Sequence, residues 1–180
     1  MAETRMMAFI ICNPATKNFK EHLEAYIEQL HVFSGDFIDF YMPGFTKVEV
    51  EGGSGLDFGS WPFDMADLKD FTAKIEERLD WRWSGEIELL VAEMQNRGRT
   101  FGGAHLCFKV FPMIKDGAID SVASFCHEII EISKQKKTLD QLSRHFVGDI
   151  ALKSIIQSEG RPAKGLLKTI QIGRHFTVKQ

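Results

Sequence analysis

The sequence predicts an α/β fold: a three-layer sandwich in which a mixed, mostly parallel sheet of about five or six strands carries helices on both faces. Three observations predict it. Met6–Cys12 is a continuous apolar run, the pattern of a strand covered on both sides. Phe19, Leu23, Tyr26, Ile27 and Leu30 follow at helical spacing and form one apolar stripe. Phe37–Phe45 then alternates Ile38, Phe40 and Met42 against Phe37, Asp39 and Tyr41, and stops at Pro43-Gly44. A strand, a helix and a strand in this order make a right-handed unit with parallel strands when both join one sheet.

The remaining elements follow in order. Asn18 with Glu21 has the spacing of a capping box for the first helix. Lys47–Glu51 alternates like a short edge strand, and Gly52–Ser60 is a glycine-rich loop. Asp64, with Asp67 three residues later, caps a helix whose buried stripe is Leu68, Phe71, Ile75 and Leu79, and Phe63 staples against Leu68. Trp81 and Trp83 cover the helix exit. Ile87–Met94 is the clearest central strand, Gln95–Gly103 a polar loop, and Leu106–Phe111 an antiparallel neighbour ended by Pro112. Lys115-Asp116-Gly117 turns into a helix capped by Asp120 or Ser121, bearing Val122, Phe125, Ile129 and Ile132. Thr138 and Gln141 cap a last helix with Leu142, Phe146 and Ile150 on its buried side.

A chain of 180 residues fits one domain spanning 1–180, with residues 163–180 as a basic tail able to add an edge strand. The 44% hydrophobic and 26% charged content is that of a soluble globular protein. The longest apolar run is far short of the roughly 20 residues a membrane helix needs, so no membrane association is expected. Cys12, Cys107 and Cys126 are scattered in apolar sequence. They suit reduced, buried thiols of a cytoplasmic protein better than disulfides or a zinc site. The net charge of −3 argues against nucleic-acid binding. It is unevenly spread: residues 31–93 carry fourteen acidic and five basic side chains, and residues 151–180 six basic and one acidic. Either the tail packs near its own acidic middle, or the two mediate homo- or hetero-oligomer assembly.

In open α/β sheets ligands gather beyond the carboxyl ends of the parallel strands. Those ends collect Asn13, Tyr41, Glu93 and Gln95, and the following loop adds Arg97. Asn13, Tyr41, Gln95 and Arg97 are the candidate ligand-binding residues for a nucleotide-like small molecule. Glu93 is the candidate catalytic group, a base or nucleophile for a glycosidic or phosphoester bond. Asp39 is unusual within an aromatic strand, and solvent exposure is the simpler account of it. The glycines at 53, 55 and 59 do not match the dinucleotide fingerprint, and no Gly-Lys-Ser/Thr follows them. The histidines and cysteines show no metal-ligand spacing, and no cofactor is assigned.

The opening order of apolar strand, polar break, amphipathic helix and second strand resembles Toll/interleukin-receptor-type and deoxyribosyltransferase-type domains. The likeness covers about the first half of the chain. It implies action on nucleotide or nucleoside glycosidic bonds by a carboxylate, a role that Glu76, Glu77 or Glu93 matches only loosely, and no motif transfers a residue. Two readings therefore stay open. One is a nucleotide-like ligand site at the strand ends, acting by binding or by cleavage. The other is a non-enzymatic interaction subunit that assembles through its acidic middle and basic tail.

Overall fold

The computed structural model describes residues 5–34, 37–46, 62–79, 81–95, 100–135, 138–146 and 176–179. Its elements are β1 (Arg5–Ile11), α1 (Lys17–His22), a single 3-10 turn (Glu24–Tyr26), α2 (Ile27–Ser34), β2 (Ile38–Tyr41) and α3 (Met65–Arg78). They continue with β3 (Glu88–Gln95), β4 (Thr100–Lys109), α4 (Val110–Lys115) and α5 (Val122–Lys134). Residues 139–146 are helical, and β5 is Phe176–Lys179.

The strands form one mixed sheet in the order β2-β1-β3-β4-β5. β1 and β2 pair in parallel, with Phe9 opposite Tyr41, as the strand–helix–strand pattern requires. Every other pairing is antiparallel. The expected three-layer sandwich around a mostly parallel sheet is therefore corrected to a single, mostly antiparallel mixed sheet with helices packed against it. The physical reason lies in β3. Its apolar run reflects burial of both faces, and burial carries no information about strand direction. β3 runs into β4 through a connection too short for a crossover, so those two are antiparallel. β3 also lies antiparallel beside β1, with Ile11 opposite Glu88 and Arg5 opposite Met94.

The side chains sort by strand parity. Ala8 and Ile10 of β1, Leu89 and Val91 of β3, and Leu106 and Phe108 of β4 pack with Phe19, Leu23, Ile27, Phe125 and Phe146. On the opposite side Phe9, Ile11, Leu90, Ala92 and Cys107 meet Leu68 of α3 with Leu79 and Trp81 beyond it. Three rings close the first cluster: Phe108–Phe125 and Phe125–Phe146 are 5.0 Å apart, and Phe108–Phe146 5.3 Å. Their edge-to-face angles are those that ring quadrupoles favour.

Local chemistry explains most boundaries. Asp64 accepts the Ala66 N–H at 2.7 Å and starts α3. Ser121 and Ser124 exchange hydrogen bonds as a capping box for α5. Gly44, at φ +86°, holds a backbone that only glycine adopts cheaply; an added Cβ would lie 2.8 Å from both the Asp64 carbonyl oxygen and the Phe63 ring.

Three boundaries differ from expectation. Thr16, rather than Asn18, caps the first helix, which breaks at Leu23 into a 3-10 turn before α2. Phe19, Leu23, Ile27 and Leu30 are nevertheless all buried. β4 begins at Thr100, within the expected loop. Pro112 does not end a strand but sits in the first turn of α4, where its missing N–H is not needed. The expected Lys47–Glu51 strand, the Gly52–Ser60 loop and the continuation of the last helix past residue 146 lie outside the described residues.

Phe125→Ala removes one of the three mutually packed rings and is expected to cost about 3–5 kcal/mol of stability in urea unfolding. Lys74→Ala, on the exposed face of α3, is expected to stay within about 0.5 kcal/mol of the parent.

Candidate functional site

The direction of β3 decides which predicted site residues meet. Asn13 follows β1 and Tyr41 ends β2, so the parallel pair brings both to one end of the sheet. Glu93 is opposite Met6, near the start of β1. At about 3.3 Å per residue, roughly 20 Å of strand separates it from Asn13. Gln95 ends β3 at that far edge, its backbone opposite Thr100. Arg97 lies outside the described residues. The four described candidates therefore form no single constellation: Asn13 and Tyr41 share one end, and Glu93 and Gln95 the other.

Each of the placed side chains has a local task. The Asn13 side-chain oxygen accepts the Ala15 N–H at 3.0 Å, and its carbonyl accepts the Thr16 hydroxyl at 2.8 Å. This Asx turn leads the chain into α1. Tyr41 is 47% exposed and stands edge-on to Phe9 at 5.9 Å. Asp39, for which solvent exposure is the simpler expectation, is half-buried. Glu93 accepts the Leu139 N–H at 2.9 Å, at the start of helix 139–146. There its negative charge meets unpaired N–H groups and the positive end of the helix dipole. Thr138 and Gln141 close the expected capping box beside it.

A buried carboxylate that the sequence reading passed over lies at the other end of the same strand. Glu88 is fully buried. Its Oε2 accepts the Trp81 indole N–H at 2.7 Å and faces the Cys107 thiol at 3.5 Å. Its Oε1 accepts the Ser84 N–H at 3.0 Å. The neighbouring groups extend this tie: Trp83 donates its indole N–H to the Glu86 carbonyl at 2.8 Å, and Asn18 its amide to the Glu86 carboxylate at 2.6 Å. The signal in the sequence was a glutamate between Ile87 and Leu89 with a tryptophan seven residues earlier. A charge inside an apolar run needs internal donors.

The thiols are poor nucleophiles. Burial pushes Cys12 and Cys126 up from the ordinary 9.0 to about 12. Cys107 is raised too, first by burial and then by the adjacent Glu88 carboxylate. Among the described residues, no group of three or more His, Cys, Asp or Glu side chains is placed to hold a metal ion.

Among the described residues, a concave feature lies on the other side of the sheet. Between α2, with the turn before it, and α5 is a half-open cleft of about 210 Å³. Leu30 and Ile130 contribute to its lining together with Tyr26, Gln29, Ser124 and His127. The sequence reading did not single it out, because its two walls come from helices about 90 residues apart whose exposed residues look like ordinary solvated faces. No protein-family model, curated protein or solved structure matches this chain. Among the described residues, no helix is long and apolar enough to cross a membrane.

Glu88→Ala leaves buried donors without an acceptor and is expected to lower stability by about 3 kcal/mol, with a shift in tryptophan emission. Glu93→Ala, which removes a single helix-end acceptor, is expected to cost about 1 kcal/mol. Equal losses in urea unfolding would contradict the assignment.

The thiols add a pH dependence. An unfolded thiol ionises near 9.0 while folded Cys12 and Cys126 hold their protons to about 12. The unfolded state therefore binds fewer protons across that window, and stability falls as pH rises from about 9 towards 12, with no thiol contribution below it. The urea midpoint of a Cys12→Ala, Cys126→Ala double variant is expected to fall less between pH 8 and pH 10.5 than that of the parent.

Proposed function

We propose that this chain works by binding, as a non-catalytic interaction subunit. The observation that carries the reading is the position of Glu93: the carboxylate best suited to catalysis by sequence accepts a helix-end N–H and stands about 20 Å from Asn13. The buried Glu88 is likewise engaged by Trp81 and Ser84, and the raised thiols are protonated at neutral pH. Chemistry-bearing groups held in this way support the architecture rather than turnover.

The interaction itself rests on the charge asymmetry of the sequence, acidic across residues 31–93 and basic across 151–180. Charge runs of opposite sign steer association of two copies, or of this chain with a partner of complementary charge. Three buried free cysteines suit a reducing compartment, and we assign the protein to the cytoplasm on that ground.

A second reading has one specific observation in its favour. Asn13 and Tyr41 reach the same end of the parallel β1–β2 pair, where a nucleotide-like ligand would be expected in an α/β sheet. Without Glu93 beside them, that reading is one of binding and not of bond cleavage.

Light scattering separates the subunit reading from a plain monomer. The mass is expected to exceed that of one chain at about 20 mM salt and to fall towards it at about 0.5 M, where charges are screened within roughly 4–5 Å. Lys168→Glu with Arg174→Glu is expected to weaken the assembly. A monomer at every salt concentration refutes assembly of two copies and leaves only a partner of a different sequence.

A further inference from the structure

The cleft between α2 and α5 is unused by anything described so far, and its chemistry is selective. We propose that it is a binding site for one neutral, aminated heteroaromatic ring system of the adenine type. Size comes first. Its volume of about 210 Å³ equals that of roughly seven liquid waters at ~30 Å³ each. This is below the ~300 Å³ at which sites for drug-sized ligands begin, so one or two fused rings fit and a dinucleotide does not.

The lining then narrows the class. Leu30 and Ile130 are buried and give an apolar surface. Tyr26 and His127 supply two rings in the wall, and heteroaromatic bases stack on or pack edge-on against such groups. Gln29 is exposed and lines the same cleft. A carboxamide offers one donor and one acceptor side by side, the complement of an amino group next to a ring nitrogen, as in the bidentate contact of Gln with adenine.

Charge sets the last limit. Among the described residues neither lysine nor arginine lines the cleft, and the Glu131 carboxylate near His127 Nε2 is already paired with Lys134 at 2.6 Å. A phosphate placed there would find no guanidinium or ammonium among the described lining residues to pair with. The site therefore favours the base or nucleoside over the nucleotide. This separates it from the nucleotide-like site considered at Asn13 and Tyr41, and it does not depend on assembly of the chain.

Titration calorimetry with adenine, adenosine and adenosine monophosphate, on the full chain, tests it. Adenosine is expected to bind in the sub-millimolar to millimolar range, at least as tightly as the monophosphate. Gln29→Leu is expected to weaken it about tenfold through the lost bidentate contact. Ala123→Phe places a ring into the cleft from its α5 wall and is expected to abolish binding, with the circular dichroism spectrum showing that the variant folds. Tyr41→Ala is expected to leave binding unchanged. The proposal is overturned if no ring compound binds up to about 5 mM, if the monophosphate binds much more tightly than adenosine, or if folded Ala123→Phe binds as the parent does. Loss of binding in Tyr41→Ala alone would move the ligand to the strand ends.

Discussion

β1 is held by two ladders of opposite sense, parallel to β2 and antiparallel to β3. The second of these constrains the rest of the molecule. Pairing Ile11 with Glu88 and Arg5 with Met94 fixes which end of the sheet each β3 residue occupies and which side chains stand over which helix. It places Leu89 and Val91 in the cluster built with α1, α2 and α5, and Leu90 and Ala92 in the cluster built with α3. A slip of one residue would exchange those two sets. Because both sets are apolar, burial alone does not hold the register; Glu88, bound by Trp81 and Ser84, and Glu93, bound by the Leu139 N–H, do, since a slip would part each carboxylate from its donors.

The two carboxylates of β3 show how this pairing distributes polar groups. Glu88 and Glu93 are five positions apart, an odd number, so they project from opposite faces as well as from opposite ends. Glu88 fastens the Trp81 segment on the α3 side, and Glu93 fastens the start of helix 139–146 on the other. One strand thus pins a covering element on each side through an acceptor at each end. The carboxylates that a reading of residue types assigns to chemistry are, in the folded chain, part of how the layers are attached.

Features set by near neighbours were legible in the sequence. The Asp64 cap, the Ser121 start of α5, the Thr138–Gln141 box and the buried stripes of α3 and α5 all depend on residues within a turn or two of one another. The parallel β1–β2 unit was legible too, because its handedness follows from chain order. The direction of β3 was not, since an apolar run reports burial and leaves orientation to distant partners. The break at Leu23 was hidden by a stripe that stays buried through the interruption. Pro112 misled because the same residue that ends a strand is also tolerated in a first helical turn. Of the candidate residues, Asn13 and Tyr41 lie at one end of the parallel pair, and the orientation of β3, which local pattern does not encode, puts Glu93 and Gln95 at the other.

The continuous apolar character of β1 has a consequence during synthesis. Its antiparallel partner follows on the order of eighty residues later, so at about 5–20 residues per second a ribosome needs several seconds to supply it. Over that interval α1, α2 and α3 are already made and can cover the two faces of β1, and β2 can pair with one edge, but the edge that receives β3 stays open. An unpaired strand edge is a template for pairing with other chains, and slowing translation between β2 and β3 would lengthen the period in which it stays open.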